Sequence, residues 1–334
     1  MAEITIFQKV SDIPPAWDEL AVNYFQQTGF LLHAEKYNPC HQRYYLYKES
    51  GTLLAVAIVY SLQLDILTFI RVKSPLKMNI IGIPCSVSSS GIFGKPEANE
   101  KLKKYIYEKE KGFVLALNLE EKPAESAYTS GKTLPSIILD NKFKSWNGYL
   151  SSLRSDYRRR IRIINSPDDL KFEEMPCSEF TEVMHMLYLE VYKRSSGKLE
   201  KLGFEFFKNL PSEFKLVSCS LNKEVIGWNI GLKHNSAYYF FLGGIDYEMN
   251  KRYSTYFRLL TMITRNGIES GAQMIDLGQT AEIPKMRMGG KPVSKYMEAH
   301  HSNSFFNYLL KKFSNLLEYK REFGNSHPFK QENL

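Results

Sequence analysis

Residues Lys215–Gly290 read KLVSCSLNKEVIGWNIGLKHNSAYYFFLGGIDYEMNKRYSTYFRLLTMITRNGIESGAQMIDLGQTAEIPKMRMGG. Two polar breaks, Asn222-Lys223-Glu224 and His234-Asn235-Ser236, separate three apolar, aromatic-rich runs, the pattern of adjacent antiparallel strands joined by tight turns. The third run, from Ala237 to Leu242, ends at Gly243-Gly244 and opens into a basic loop. Tyr256, Leu259, Leu260, Ile263 and Gly267 then recur at helical spacing, so a helix with one buried face is predicted from about Ser254 to Glu269. Gln273 to Leu277 returns as a strand. A loop feeding a helix start between two strands is a place to hold an anion, because the first helical N–H groups have no partner within the helix.

This order resembles the GNAT acyltransferase superfamily, and more closely its branch of Fem-type peptidyltransferases and related acyltransferases. The resembling text is the helix, then GAQMIDLG, then the lysine in IPKMRMGGKP, with WNGYLSSLRSDYRRRIRI well upstream. The resemblance implies an α+β fold and direct acyl transfer to an amine without a covalent enzyme intermediate. It places a donor's phosphates on Lys251, Arg252, Tyr253, Ser254 and Arg258, with acyl-CoA as the implied co-substrate and no metal. It also implies that Lys285 matches a lysine that Fem-type relatives carry after this strand. The loop itself departs from the superfamily pattern: Asp246 to Ser254 contains no glycine. Fem-type relatives use aminoacyl-tRNA to extend a cell-wall peptide, and that donor stays open as the alternative.

Working outward, the first half repeats the same parts. Gln42 to Tyr47, a turn at Glu49-Ser50-Gly51, and Thr52 to Tyr60 read as a hairpin. Runs at Ile66 to Val72 and Ile80 to Pro84, a helix from about Glu97 to Lys109 and a strand from Phe113 to Leu119 follow. The repetition predicts two tandem GNAT-like domains, 1–140 and 141–334, each a mostly antiparallel mixed sheet flanked by helices. A strand at Ile4 to Phe7 and a helix from Pro15 to Gln26 precede the first. Gly91-Ile92-Phe93-Gly94-Lys95 is not a nucleotide-hydrolysing loop, since two residues instead of four separate its glycines and Pro96 follows the lysine. Its glycines serve a turn or the close approach of a substrate.

Between the halves, Lys122 to Lys132 reads as a surface connection and Leu134 to Leu139 as a strand. Trp146, Tyr149, Leu150, Leu153, Tyr157, Ile161 and Ile164 form one helical stripe. Arg154, Arg158, Arg159, Arg160 and Arg162 crowd the rest of it, either as a solvated face or as bidentate anchors for phosphate or carboxylate. Helices are predicted from Ser178 to Tyr192 and from Gly203 to Asn209. The tail Phe305 to Phe323, apolar with many lysines, is predicted to be a docking helix or a peripheral membrane contact.

The chain has 334 residues, 43% of them hydrophobic, and a net charge of +8. The charge favours an anionic partner, whether a phosphorylated cofactor, tRNA or an anionic membrane. Cys40, Cys85, Cys177 and Cys219 form no CxxC pair, which argues against zinc and disulfides and for a reducing compartment. The sequence shows no secretory leader and no apolar run of spanning length, so a cytoplasmic location is expected.

Amide formation needs a proton acceptor for the amine, stabilisation of an oxyanion and a proton for the leaving group. Lys285, Asp276 and Tyr239 are the catalytic candidates, drawn from a wider set with Tyr238, Asp246 and His300. Arg158, Arg159, Trp228, Gly91 and Arg287 are the candidates for holding a small-molecule or peptide amine acceptor. A non-catalytic protein that binds an anionic partner through the arginine helix is the reading from another class.

Overall fold

The structure, a computed structural model, describes residues 2–65, 75–85, 87–123, 128–166, 169–195, 199–314, 318–324 and 326–330. Its strands in chain order are β1 (Ala2–Phe7), β2 (Arg43–Glu49), β3 (Thr52–Asp65), β4 (Pro75–Ile81), β5 (Ile92–Gly94), β6 (Phe113–Leu119), β7 (Thr129–Asp140), β8 (Leu170–Pro176), β9 (Phe214–Leu221), β10 (Glu224–His234), β11 (Ala237–Ile245), β12 (Met274–Asp276) and β13 (Lys291–His301). The chain divides into two compact units. One comprises Met1–Leu134 with Ser294–Arg321, the other Pro135–Val293 with Glu322–Leu334. The helix Ser304–Lys312, expected in a second domain running from 141 to 334, thus falls in the first unit.

In the first unit the strands follow the order β1-β2-β3-β4-β6-β13, with β5 on β3. β1 to β4 are an antiparallel meander. The helix Pro96–Lys109 carries the chain across to β6, which pairs parallel with β4, and β13 closes the edge antiparallel to β6. The helix buries Ala98, Leu102, Ile106 and Tyr107 against Tyr45, Ala57, Val59, Val114 and Ala116, the 3.6-residue stripe meeting the period-two faces of the sheet. Gly91 lies against the backbone of Gly82. A Cβ on Gly91 would sit 2.3 Å from the Gly82 Cα, and this packing accounts for the glycine.

The second unit runs through the same parts in the order β7-β12-β11-β10-β9-β8. β8 to β11 form the meander, the helix Thr255–Glu269 crosses over, and β12 pairs parallel with β11. β7 closes it antiparallel to β12. Leu259, Leu260, Ile263 and Ile268 give the helix its buried face. Gly267 lets it approach β12, since a Cβ there would meet Ile275 at 2.7 Å.

Several boundaries differ from the sequence reading. The stripe from Trp146 to Ile164 forms two helices, Trp146–Ser152 and Ser155–Ile164. The tail enters between them: Arg154 N donates to Pro328 O, Lys330 N to Ser152 O, and Leu153 bridges Phe329. The helix expected from Pro15 to Gln26 is a short helix, Ala16–Leu20, followed by a 3-10 turn, Tyr24–Gln26, which the Asn23 side chain starts anew. The run Ile66 to Val72 lies outside the described residues. No described helix is long and apolar enough to cross a membrane.

Candidate active site

The parallel pairing of β11 with β12 lasts three residues, Ala237↔Met274, Tyr238↔Ile275 and Tyr239↔Asp276. Beyond Tyr239, β11 continues to Ile245, whereas the chain after β12 stays with β7, where Leu277 N donates to Ile137 O and Ile137 N to Gly278 O. The two parallel strands therefore part at the Tyr239–Asp276 pair. Asp276 Oδ1 accepts from Gly278 N at 2.7 Å and folds the chain into a turn. Gly278, Thr280 and Ala281 then take φ values of 72°, 61° and 46°. Left-handed backbone at a β-branched threonine and at an alanine is strained, and such strain collects where a side chain must be aimed.

The strained turn aims the short helix Glu282–Arg287. Its Lys285 is 3% exposed. The Nζ donates to Gln279 O at 2.6 Å and stands 5.5 Å from the centre of the Phe240 ring on β11. Gly278 lies beside it, with its Cβ position 3.9 Å from Nζ. Lys285 is thus a buried residue of a short helix.

Burial pushes the Lys285 ammonium down to about 7, against the opposing pull of Asp276 and Glu282. Burial, then the Asp276 carboxylate, pushes the Tyr239 phenol up to about 12. Burial and the nearby Glu282 also raise Tyr256, at the start of the crossover helix. The group thus holds an amine that exchanges its proton near neutrality and a phenol that stands protonated there, both beside one carboxylate. The structure sets Lys285 and Tyr239, two of the three catalytic candidates, beside the third, Asp276. Glu282 and Tyr256, which the sequence reading did not assign to the site, complete the charged surroundings. Glu282 is 4% exposed, and its position three residues before Lys285 on one helical turn was the available signal.

The expected donor loop is a helix, Tyr247–Tyr253, capped by Asp246, whose carboxylate accepts from Glu248 N and Met249 N. Lys251 pairs with Glu248 at 2.8 Å in the open, and Arg252 lies over the Tyr253 ring. Ser254 is left-handed and links the two helices. Asn250 Oδ1 accepts from Tyr256 N at 2.8 Å, so one amide at the start of the crossover helix is already satisfied. Arg258 is buried and donates to Tyr253 O and Ser166 O.

Among the acceptor candidates, Trp228 is a core residue. It is fully buried, donates from Nε1 to Met184 O at 2.7 Å, and meets Phe180 and Phe207 edge-on. Arg158 donates to Leu153 O, while Arg159 and Arg287 are exposed. Gly91 belongs to the first unit. Arg154, Arg159, Arg160 and Arg162 are exposed, and among the described residues they have no ion-pair partner.

Residues 151–286 match the family model of an acetyltransferase (GNAT) domain. Among solved structures, a tandem GNAT protein from the clavulanic acid biosynthesis pathway superposes with a TM-score of 0.55 at 8% identity, covering 91% of this chain and 99% of that one. L-PGS from Bacillus licheniformis gives 0.54 at 12%, over 91% and 95%. FemX gives 0.49 at 12%, over 84% and 92%. At these identities the likeness is one of fold. A search of curated proteins gave no match.

Proposed function

We propose, on the premise that residues 151–286 of this chain are a GNAT acetyltransferase domain, that the protein is an N-acyltransferase working at the end of the β11–β12 pair. The observation that carries the reading is the buried Lys285 amine beside Asp276 and Tyr239 where the two parallel strands part. The acceptor is a small-molecule or peptide amine. Its nitrogen attacks the acyl carbonyl carbon and its proton passes to the neutral Lys285 Nζ, whose affinity for protons near pH 7 suits a general base. Collapse of the tetrahedral intermediate breaks the bond to the donor, and the departing sulfur or oxygen takes a proton from the Tyr239 phenol. Asp276 holds the turn through Gly278 N and keeps the resulting ammonium in place. No acyl group rests on the protein.

The donor is read as an acyl thioester, acyl-CoA. Two observations favour a second reading, an aminoacyl ester on tRNA. The donor loop is a helix whose successor already has an amide capped by Asn250. In addition, Arg154, Arg159, Arg160 and Arg162 stand exposed as bidentate partners for phosphate. The test is mass spectrometry of products after incubating the full chain with a panel of amines and either acyl-CoAs or aminoacyl-tRNAs. An amide formed from acyl-CoA supports the first reading, and one formed only from charged tRNA supports the second. RNA binding without any amide would replace both with the non-catalytic reading.

A further inference from the structure

The helix Ser304–Lys312 of the first unit leaves its aromatic side chains outermost. Phe305 is 61% exposed, Phe306 42%, Tyr308 61% and Phe313, just beyond its end, 49%. No residue of the helix is buried. Yet the helix is firmly mounted. Asn307 Oδ1 accepts from His301 N at 2.7 Å while its Nδ2 donates to His301 O at 2.6 Å. Asn303 caps the first turn by accepting from Phe305 N at 2.9 Å, and Phe306 rests on the His301 and Phe113 rings at 4.6 and 6.2 Å.

With Asn307 turned inward, a rotation of about 100° per residue sets Phe305, Leu309, Lys312 and Phe313 on the opposite face, with Tyr308 at its flank. Lys311 and Lys312 are exposed. Lys111 is also exposed, next to Gly112, whose N–H donates to Ser302 Oγ at 2.9 Å at the head of the helix. Residues 302–314 contain neither aspartate nor glutamate.

We propose that this helix seats the protein on an anionic lipid surface. Rings held out on a rigid helix would enter the boundary between headgroups and acyl chains, and the lysines would meet the lipid phosphates. Charge decides against the other occupants. A second copy docked through this face would offer Lys311 and Lys312 no carboxylate, since residues 302–314 carry none, and an acid-free face of aromatics and leucine with two lysines carries little charge for a polyphosphate chain. The inference is independent of the proposed reaction.

The test is co-sedimentation of the full chain with phosphatidylcholine vesicles, with and without phosphatidylglycerol. Partition is expected on the vesicles containing phosphatidylglycerol and should fall with added salt. The Lys311→Gln/Lys312→Gln variant should bind about 25-fold more weakly, about fivefold for each lysine removed. The Phe305→Ser/Phe313→Ser variant should not bind, with its melting temperature unchanged because neither ring is buried. The Phe305→Trp variant, which keeps the face apolar, should show a blue-shifted emission on binding. Four results would overturn the proposal. They are no partition of the unaltered chain, full binding by the double serine variant, no emission change in the tryptophan variant, or an oligomer of the unaltered chain that the serine variant dissolves without any vesicle binding. Preferential binding to single-stranded RNA through the same rings would likewise replace it.

Discussion

The two units run through the same parts and place different chemistry at the same point. In the first, the parallel strands end their pairing at Ile81↔Ala116, both buried and apolar. In the second, they end at Tyr239↔Asp276, with Lys285 folded over them. Each unit also buries a lysine. Lys103 in the first is held by two carboxylates, Glu100 at 2.8 Å and the buried Glu298 at 3.3 Å. Lys285 donates to a neutral carbonyl and its ammonium is pushed down toward neutrality. A lysine locked between carboxylates fastens helix Pro96–Lys109 to β13. A lysine left on a carbonyl near its proton-exchange point is equipped to move a proton. On the proposed function, the same order of parts gives one unit a structural lysine and the other a chemical one.

That contrast breaks first at Lys285. Lys285→Met should lower amide formation, read by product mass spectrometry, by about 10²–10⁴-fold, the worth of a general base, while the protein stays folded. Lys103→Met should do the reverse. It strands the Glu298 carboxylate in the interior and should cost about 3–5 kcal/mol of stability in thermal or denaturant unfolding, with the transfer rate per folded molecule unchanged. Gly91→Ala, which forces a methyl group onto the Gly82 backbone, should cost about 1–3 kcal/mol, again without touching the rate of the folded fraction.

Two smaller effects sharpen the comparison. Asp276→Asn removes the carboxylate that raises the Lys285 pKa, so the midpoint of the pH–rate curve should move to lower pH. Stability should carry the same signature. The folded-state pKa of Lys285 lies near 7, below the ordinary 10.5 of an exposed lysine. Between those values the unfolded chain binds a proton that the folded chain does not, so this group's contribution to stability rises with pH across that window. In Lys285→Met, unfolding measured along a pH series should lack that rise.

The meander, crossover helix and parallel strand of 215–277 were legible because each follows a clean hydrophobic period broken by polar turns. Asp276 and Lys285 were singled out from their order after the helix, and the structure sets them near one another. The burial of Lys285 was not legible, because nothing in the spacing of GQTAEIPKMRMGG marks an inward face, and left-handed backbone at Thr280 and Ala281 precedes the short helix that buries it. The donor loop was misread for a related reason. Without glycine, Asp246 is free to cap a helix over Tyr247–Tyr253. β13 escaped notice because Lys291–Ser294 are exposed and polar in the main, and Trp228 passed for a site residue because an aromatic on a strand does not announce which face it packs on.

The central claim rests on one proton. The most direct measurement is the initial rate of amide formation from about pH 5 to about pH 9, for the unaltered chain and for Lys285→Met, with whichever donor and amine the product screen identifies. The account predicts a rate that rises with pH, is half-maximal near 7, and loses that rise together with most of its height in the variant. A rate that falls through pH 7 would mean that the lysine works as a cation. An unchanged curve in Lys285→Met would remove Lys285 from the reaction.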